Sequence, residues 1–493
     1  MPRGPRAWAA ATLAAALLAG SSLAGCGPGN TIDAARSYAA AGDLDAALGV
    51  LDDALRKKPG DTPLLHERAR LLADKGLFPD AYVSYARYRV AGGREDKKLV
   101  GSLADKAVRA AITDGSPDVR LNAALLVGSY HHPVLLKYLA TLLKDSDVSV
   151  RLAAAEAIGT VPDAGGVPIL KPALDDDDAR VRVAVGRALL DLGDLSGEGY
   201  LRTAAADADP KIAARAAEAL ATIGVKAGKK AVLAALSSKD AFTRARGVEA
   251  LGVLMGGSSA KLLRTAFGDA EGSVRAAAIE AALRRPDAKE FLADIRKGLA
   301  DADWLVRDAA AAAVGKLEDT STTEALRAMV AGDGRIDVKF TAALSLNKLD
   351  DVLGFEYIHR MLKSEAAAER RLAVSALGRL REGTKVKTLI GMLEDPEPPV
   401  RAATALALEK LGAREAADAL AARLTDKAED PDVKAAAVHA LVKILGEDAT
   451  DRVLPALGDD SILVRAHGGT AVLVSKAPPV SDEPAAVPPP RAD

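Results

Sequence analysis

Asp145, Asp147 and Arg151 lie close together in the stretch DSDVSVRLAAAEAIG, which spans residues 145 to 159. Two carboxylates at this spacing can begin an oxygen-ligand site for a divalent cation, and the arginine can hold a phosphate. The chemistry that the stretch suggests is therefore metal or phosphate binding. A pattern that returns many times along a chain, however, indicates a structural unit and has to be sought before a site is assigned.

The stretch does return, at steps of about 31 residues. When the chain is aligned on the arginine, a basic residue occupies all but one of twelve reference positions: Arg120, Arg151, Arg182, Ala213, Arg244, Arg275, Arg307, Lys339, Arg370, Arg401, Lys434 and Arg465. The stretch is thus one copy of a repeated unit.

Each unit predicts a helix, a turn and a second helix. The residues one before, three after and seven after the reference position are mostly apolar or small, and these offsets share one helical face. Asp or Ser commonly stands four residues before, where its side chain can cap the helix, and Asp commonly stands six before. An apolar helical segment follows each first helix. The acids therefore start helices, and the arginine is free to pair with acids of its own or the next unit.

The twelve units resemble the HEAT repeat, in the short variety of phycobilisome-lyase-type proteins, over residues 95–475. The resemblance implies an all-α fold, a right-handed α-solenoid. Neighbouring helices pack about 8 to 10 Å apart, so a curved rod on the order of 100 Å long is expected. In the family the first helices line the convex side and the second helices the concave side. Glu95 to Ile112 is expected to join this array to what precedes it.

Residues 31–94 show a period of 34. The first copy contains Ala35, Tyr38, Gly42, Ala47 and Leu51, and the second contains Ala69, Leu72, Gly76, Ala81 and Tyr85. This spacing resembles the tetratricopeptide (TPR) repeat, in which small residues let two helices cross closely and glycine ends the first helix. A TPR-like pair is therefore expected ahead of the HEAT-like units.

The N-terminal residues have the features of a targeting segment. Two arginines, an apolar run and small residues make residues 1–25 a secretory signal peptide. Leu23-Ala24-Gly25-Cys26 resembles the bacterial lipobox, which implies cleavage between Gly25 and Cys26, lipidation of Cys26 and a short linker over residues 26–30. The resemblance implies a lipoprotein of the cell envelope, tethered to a membrane on its extracytoplasmic side. No aspartate follows Cys26, which hints at the outer membrane.

Composition agrees with stacked short helices. The chain has 493 residues, 49% of them hydrophobic but only 3% aromatic. Its net charge of −2 gives no global reason to expect nucleic acid as a partner. Cys26 is the only cysteine, so no internal disulfide is expected. The proline-rich tail, residues 476–493, is predicted to be disordered.

Catalytic constellations are not found in the sequence. The six histidines show no recurring ligand spacing, and Asp175 to Asp178 lack the alternating ligands and terminal glutamate of a calcium loop. No nucleophile elbow is present. We therefore expect no catalytic residue, no metal and no cofactor.

Two sets of residues are candidates for contact with a partner. Basic residues recur on the second helices, and an ordinary solvated face explains them as well as a positive groove does: Lys137, Lys171, Arg202, Lys230, Lys261, Arg264, Arg327 and Lys387. Tyr82, Tyr85 and Tyr88 offer aromatic surface for a peptide, although TPR-like cores also use tyrosine as filler.

The function expected from these features is that of a membrane-anchored scaffold or adaptor that binds other proteins through its solenoid surface. Two alternatives stay open. One is a lyase-type enzyme or enzyme-activating subunit that holds a small molecule, and the other is a binder of an anionic envelope polymer such as peptidoglycan. The sequence does not indicate an oligomeric state.

Overall fold

The structure, a computed structural model, describes residues 28–222, 226–253, 257–380 and 386–478. Helices and the turns between them make up these ranges, which contain no strand. The predicted all-α solenoid is confirmed. The signal peptide, Gly25, Cys26 and most of the proline-rich tail lie outside the described residues.

Four helices open the described chain: α1 (Pro28–Ala40), α2 (Leu44–Lys57), α3 (Thr62–Lys75) and α4 (Phe78–Val90). Asp43 and Asp61 cap α2 and α3, and Gly76 ends α3 in the left-handed region at φ 81°. Ala47 and Ala81 are fully buried. The small residues of the 34-residue period therefore lie where helices cross.

A longer helix, α5 (Lys97–Ile112), follows the four. Asp96 caps it, because its carboxylate accepts the backbone N–H groups of Lys98 and Leu99. A broad apolar stripe along α5 is buried, from Leu99 to Ile112. This segment, which is expected to join the two arrays, therefore also takes part in the core.

The twelve repeat units follow. Their first helices are α6 (Pro117–Ser129), α8 (Val148–Thr160), α10 (Ala179–Asp191), α12 (Pro210–Thr222), α14 (Ala241–Leu251), α16 (Gly272–Arg284), α18 (Trp304–Lys316), α20 (Ile336–Lys348), α22 (Ala367–Leu377), α24 (Pro398–Leu411), α26 (Pro431–Leu445) and α28 (Ile462–Ser475). Their second helices are α7 (Leu136–Leu142), α9 (Gly166–Leu170), α11 (Glu198–Ala204), α13 (Lys226–Leu236), α15 (Gly257–Ala266), α17 (Leu292–Gly298), α19 (Thr323–Gly332), α21 (Val352–Met361), α23 (Val386–Met392), α25 (Ala417–Thr425) and α27 (Thr450–Val453). The twelfth unit has no second helix of its own among the described residues.

Acids four residues before the reference position cap first helices, as predicted. The carboxylate of Asp147 accepts the N–H groups of Ser149 at 2.8 Å and Val150 at 3.3 Å. These caps give partners to N–H groups that the helix itself leaves free. The same bond is made by Asp178, Asp240, Asp303 and Asp430. Ser116 is an exception, since its side chain makes no cap hydrogen bond.

The first helices of neighbouring units pack side by side at very short range. A Cβ added at Gly159 would lie 2.7 Å from the Cβ of Ala188, and one added at Gly378 would lie 2.8 Å from the Cβ of Ala407. The second helices are separated by open grooves, such as the one between α19 and α21. In a curved stack the layer with the closer neighbours is the inner one. The first helices therefore form the inner layer, which is the reverse of the expectation that they line the convex side.

The end of the array packs against its beginning. Gly469 of α28 lies so close to α5 that an added Cβ would be 2.6 Å from the carbonyl oxygen of Ala104. The two helices run antiparallel, because Lys476, just after α28, lies 3.1 Å from Glu95, just before α5. Helix α5 thus serves as the second helix of the twelfth unit. We call the contact of α28 with α5 and α6 the seam and the closed array the ring. The solenoid thus closes on itself, where a curved rod was expected.

Candidate functional site

Asp145, Asp147 and Arg151 each have a separate structural task. Asp145 accepts two hydrogen bonds from Arg120 of the preceding unit, at 2.6 Å from Nε and 2.8 Å from Nη2. Asp147 caps its own helix. Arg151 donates to both oxygens of Asp176 in the next unit, at 2.8 and 3.1 Å, and to two carbonyl oxygens of its own turn. These groups hold the units together, so the motif is neither a cation site nor a phosphate site.

The same link joins most neighbouring units, and we call the series the Arg–Asp ladder. Its pairs are Arg120–Asp145, Arg151–Asp176, Arg244–Asp269, Arg275–Asp301, Arg307–Asp333 and Arg370–Asp395, with Arg401–Glu429 and Lys434–Asp459 as variants. The six arginine side chains are only 12 to 18% exposed. The Arg120 guanidinium holds the pKa of Asp145 below its usual value, and Arg275 does the same for Asp301. The arginine pairs with the next unit in each case.

The ladder is interrupted at three units. Arg182 donates to the hydroxyl of Tyr200 at 3.0 Å in place of an acid. Ala213 has no side chain that can donate a hydrogen bond, and Lys339 makes no ion pair with any described residue. The third, fourth and eighth units are therefore joined to their successors by packing without this link.

The predicted basic groove lies on the outer layer, because its residues stand on or beside the second helices. Several of them are paired with acids of a neighbouring unit: Lys137 with Asp105 at 2.7 Å, Lys171 with Asp194 at 2.9 Å and Arg327 with Asp351 at 2.6 Å. Arg202 pairs with Glu198 of its own helix, and Arg264 lies 3.9 Å from Glu290 and from Asp294. Lys230, Lys261 and Lys387 are exposed and make no ion pair within the described ranges. The eight residues do not form a continuous positive strip.

Asp105 shows how one of these cations, Lys137, is held by its neighbours. Burial opposes its ionisation, yet hydrogen bonds from Lys137, Tyr138 and Arg109 lower the pKa of Asp105 to about 2. Lys137 also lies over the ring of Tyr138 at 4.7 Å. This lysine therefore braces α7 against α5 and is not a free contact for a partner.

The three predicted peptide-binding tyrosines are largely occupied by packing. Tyr85 is 1% exposed, and burial raises its pKa. Tyr82 packs against Gly458 at the far end of the ring, and burial raises its pKa as well. Tyr88 lies 5.8 Å from the ring of Tyr85. These tyrosine side chains pack α4 against the closed array. They therefore contribute to stability and leave little aromatic surface for a peptide.

The described residues contain no group of three or more His, Cys, Asp or Glu side chains that could hold a metal ion. Within the same part of the chain, no helix is both long enough and apolar enough to cross a membrane.

Four neighbouring first helices form a charged hollow on the inner surface of units two to five. Glu156, Arg187, Arg215, Glu218 and Arg246 contribute to its lining. Glu218 lies 3.9 Å from both Arg187 and Arg246. Three of these residues stand five positions after a reference position, so this position faces the inside of the ring.

A second feature of the inner surface was missed in the sequence. Six successive units carry a basic residue nine positions after the reference position, in or just past the last turn of the first helix, and we call this set the basic arc: Arg284, Lys316, Lys348, Arg379, Lys410 and Lys443. All six are exposed, and none makes an ion pair with a described residue. The signal in the sequence that indicates them is the recurrence of a basic residue nine positions after the reference position in six consecutive units.

Family models match two parts of the chain. A model of HEAT repeats matches residues 104–190, 200–284, 260–347 and 356–429, more than half of the chain. A tetratricopeptide repeat model matches residues 28–71. No curated protein matches the chain at a significant level.

Solved structures show a similarity of low TM-score. Kap121p is 12% identical with a TM-score of 0.35, and the alignment covers 79% of this chain and 52% of Kap121p. The chain thus spans about half the length of that protein. The complex of CpcE and CpcF of phycocyanin lyase from Nostoc sp. is 18% identical with a TM-score of 0.31, covering 56% and 94%. Human deoxyhypusine hydroxylase is 18% identical with a TM-score of 0.25, covering 51% and 97%.

Proposed function

The chain belongs to the HEAT repeat proteins, and on this premise we propose that it is a scaffold or adaptor that binds other proteins through the inner surface of its ring. In this proposal a lipid on Cys26 holds it at a membrane of a bacterial cell envelope, facing the extracytoplasmic space. Its task is binding and not catalysis.

Exposed leucines on the inner surface support this proposal most directly. Leu125 is 56% exposed and Leu406 is 43% exposed, and both stand five positions after a reference position. Large apolar groups exposed on a curved repeat surface are typical of protein–protein contact.

Crosslinking in intact cells, followed by capture of the protein, tests the proposal. We expect the wild type to recover specific proteins and the double variant Leu125→Glu, Leu406→Glu to lose them. Leu233 and Val352 are matched controls, because they are 42% and 67% exposed on second helices of the outer layer. The double variant Leu233→Glu, Val352→Glu should capture the same proteins as the wild type. Capture of nothing by the wild type would refute the scaffold function.

The anchor rests on the Leu23-Ala24-Gly25-Cys26 motif and has a separate test. Helix α1 begins at Pro28, two residues after Cys26. Replacing Cys26 by Ala should move the protein from the membrane fraction to the soluble fraction. Membrane retention of the Cys26→Ala protein, at unchanged abundance, would contradict lipid anchoring while leaving the binding surface untouched.

The charged hollow favours a second candidate, an enzyme or enzyme-activating subunit of the lyase type that holds a small molecule. Arg215 in this hollow makes no ion pair with a described residue, so it is available to an anionic ligand. Native mass spectrometry of protein purified from its own cells separates the candidates. A retained small molecule that is lost in Arg215→Gln would favour the second one.

A further inference from the structure

The basic arc occupies one half of the ring. Units six to eleven each carry one of its six cations, whereas the corresponding positions of the first five units are Ser129, Thr160, Asp191, Thr222 and Val253. A cation near a helix C-terminus is favourable for the helix by about 0.3 to 1 kcal/mol. The first five helices form without one. Helix stability therefore does not explain why the cations are confined to consecutive units.

Two members of the arc show that its side chains lean over the inner surface. The positive charge of Arg379 acts on the half-buried Asp308, two units earlier, and partly offsets the rise that burial causes in the pKa of Asp308. Lys443 lies over the ring of Tyr130, which belongs to the first unit, at 5.8 Å. The arc thus borders the inside of the ring.

The surface one helical turn below the arc is mostly uncharged. The residues four positions before its middle members are Ala312, Leu344, Ser375 and Leu406. One turn corresponds to about 5.4 Å along the helix. In the other half of the ring, the same level holds Glu156, Arg187 and Glu218, which form the charged hollow. Below the two end members the same level holds Glu280 and His439. The basic arc therefore borders an uncharged floor of small and apolar residues only beneath its four middle cations.

The spacing of the arc fits an extended polypeptide. Neighbouring helices lie about 8 to 10 Å apart, and one three-residue turn of an extended chain of the polyproline II type covers about 9 Å and brings every third side chain to the same side. A chain lying along the arc would place every third residue opposite a cation and could turn the residues between them to the floor. A flat bilayer cannot follow the inner surface of a closed ring, and a phosphodiester backbone has no aliphatic group for Leu344 and Leu406.

We propose that the basic arc binds an extended acidic segment of a partner protein, with an acidic residue at about every third position and small or apolar residues between. This inference rests on the proposed protein-binding function and names its site and the chemistry of its partner.

A peptide of six Asp-Ser-Leu triplets is the probe, used with the full-length protein and measured by fluorescence anisotropy. Replacing all six arc residues by Gln should weaken binding about 50-fold, because each exposed ion pair contributes roughly a factor of two. Raised salt should weaken binding to the wild type in the same direction. A peptide of six Lys-Ser-Leu triplets should not bind.

Six exposed lysines outside the arc provide the matched control, each without an ion pair in the described ranges: Lys229, Lys230, Lys239, Lys261, Lys289 and Lys387. Replacing these six by Gln removes the same charge and should leave peptide affinity within about twofold. Equal thermal unfolding of both variants and the wild type confirms that the ring is intact.

Three results would overturn the inference. The first is that the wild type fails to bind the Asp-Ser-Leu peptide. The second is that the control variant loses as much affinity as the arc variant. The third is that vesicles of anionic phospholipid bind through the arc while the peptide does not. The crosslinking capture separates this inference from the proposed function. If the arc variant captures the same partners as the wild type, the arc is not the binding site, but the scaffold function is unaffected. If the wild type captures no partner, the scaffold function itself is refuted.

Discussion

Lys476 and Glu95 form an ion pair, with 3.1 Å between Nζ and Oε1, although 381 residues separate them in the chain. The pair marks the seam, where α28 lies against α5 and α6. At 21% and 35% side-chain exposure it contributes little energy by itself. Its meaning is geometric, because it shows that the curvature accumulated over twelve units brings the two ends of the array together.

The first prediction concerns close packing in the seam. Gly469→Ala should destabilise the protein by about 1 to 3 kcal/mol, because the new methyl group meets the backbone of α5, which cannot move aside. Gly101 is the matched control: it lies on α5 itself, where an added Cβ meets nothing within 4 Å. Gly101→Ala should stabilise by up to about 1 kcal/mol through its helix propensity. Urea unfolding measures both, and equal effects would contradict the seam.

The second prediction separates the ladder from the caps. Asp301 accepts both arms of Arg275, whereas Asp303 caps α18 through the N–H of Leu305. Asp301→Ala leaves the largely buried guanidinium of Arg275 with only two carbonyl oxygens of its own turn and no carboxylate, and should cost about 2 to 4 kcal/mol. Asp303→Ala should cost about 1 kcal/mol. Thermal unfolding ranks the two, and neither change should affect capture of partners, since both residues lie away from the basic arc.

The third prediction concerns acid. Burial lowers the pKa of His467 in the seam to about 3, and the neighbouring His439 acts in the same direction. The unfolded chain takes up this proton below about pH 6.5, while the folded protein resists until near pH 3. Stability should therefore fall as the pH drops through this window, by up to about 1.4 kcal/mol per pH unit.

Urea unfolding at pH 7, 6 and 5 measures this slope. His467→Leu should flatten it, because leucine fills the buried site without a group that binds protons. His359 is exposed on the outer layer and serves as the control, so His359→Leu should keep the wild-type slope. An unchanged slope in His467→Leu would show that acid acts elsewhere.

The fourth prediction concerns the two ends of the chain. A protein that begins at residue 95 keeps α5 and should remain a closed ring. One that begins at residue 117 lacks α5 and leaves the apolar face of α28 uncovered. We expect the shorter protein to unfold at lower temperature and to self-associate, which sedimentation velocity measures. Identical behaviour of the two would show that α5 does not close the ring.

Much of the fold follows from local chemistry that a sequence displays. The caps at Asp147 and Asp178 and the glycine that ends α3 at Gly76 were predicted because each depends on the few residues around it. The sequence limits the acidic partner of Arg151 to its own or the next unit, and the structure shows that the partner is Asp176 of the next unit. Glu429 was missed, because it takes the ladder position one residue later than the pattern expects.

Ring closure was not predictable in this way. It depends on a small rotation repeated twelve times, and no single residue determines the sum. Glycines such as Gly159 and Gly378 do make the first-helix layer the narrow one. Because the side of curvature was taken from the family resemblance, the basic residues of the second helices were assigned to the inside, and the arc on the first helices was overlooked.

The seam also determines when during synthesis the protein can complete its fold. Helix α5 is made early, and its partner α28 follows roughly 360 residues later, which takes about 20 to 70 s at ordinary rates of synthesis. Throughout that interval the part of the stripe that α28 covers in the finished ring has nothing of its own chain against it. A shortened product never obtains the cover, so the exposed stripe distinguishes an unfinished molecule from a finished one, and chaperones or proteases that recognise apolar surface can act on that difference.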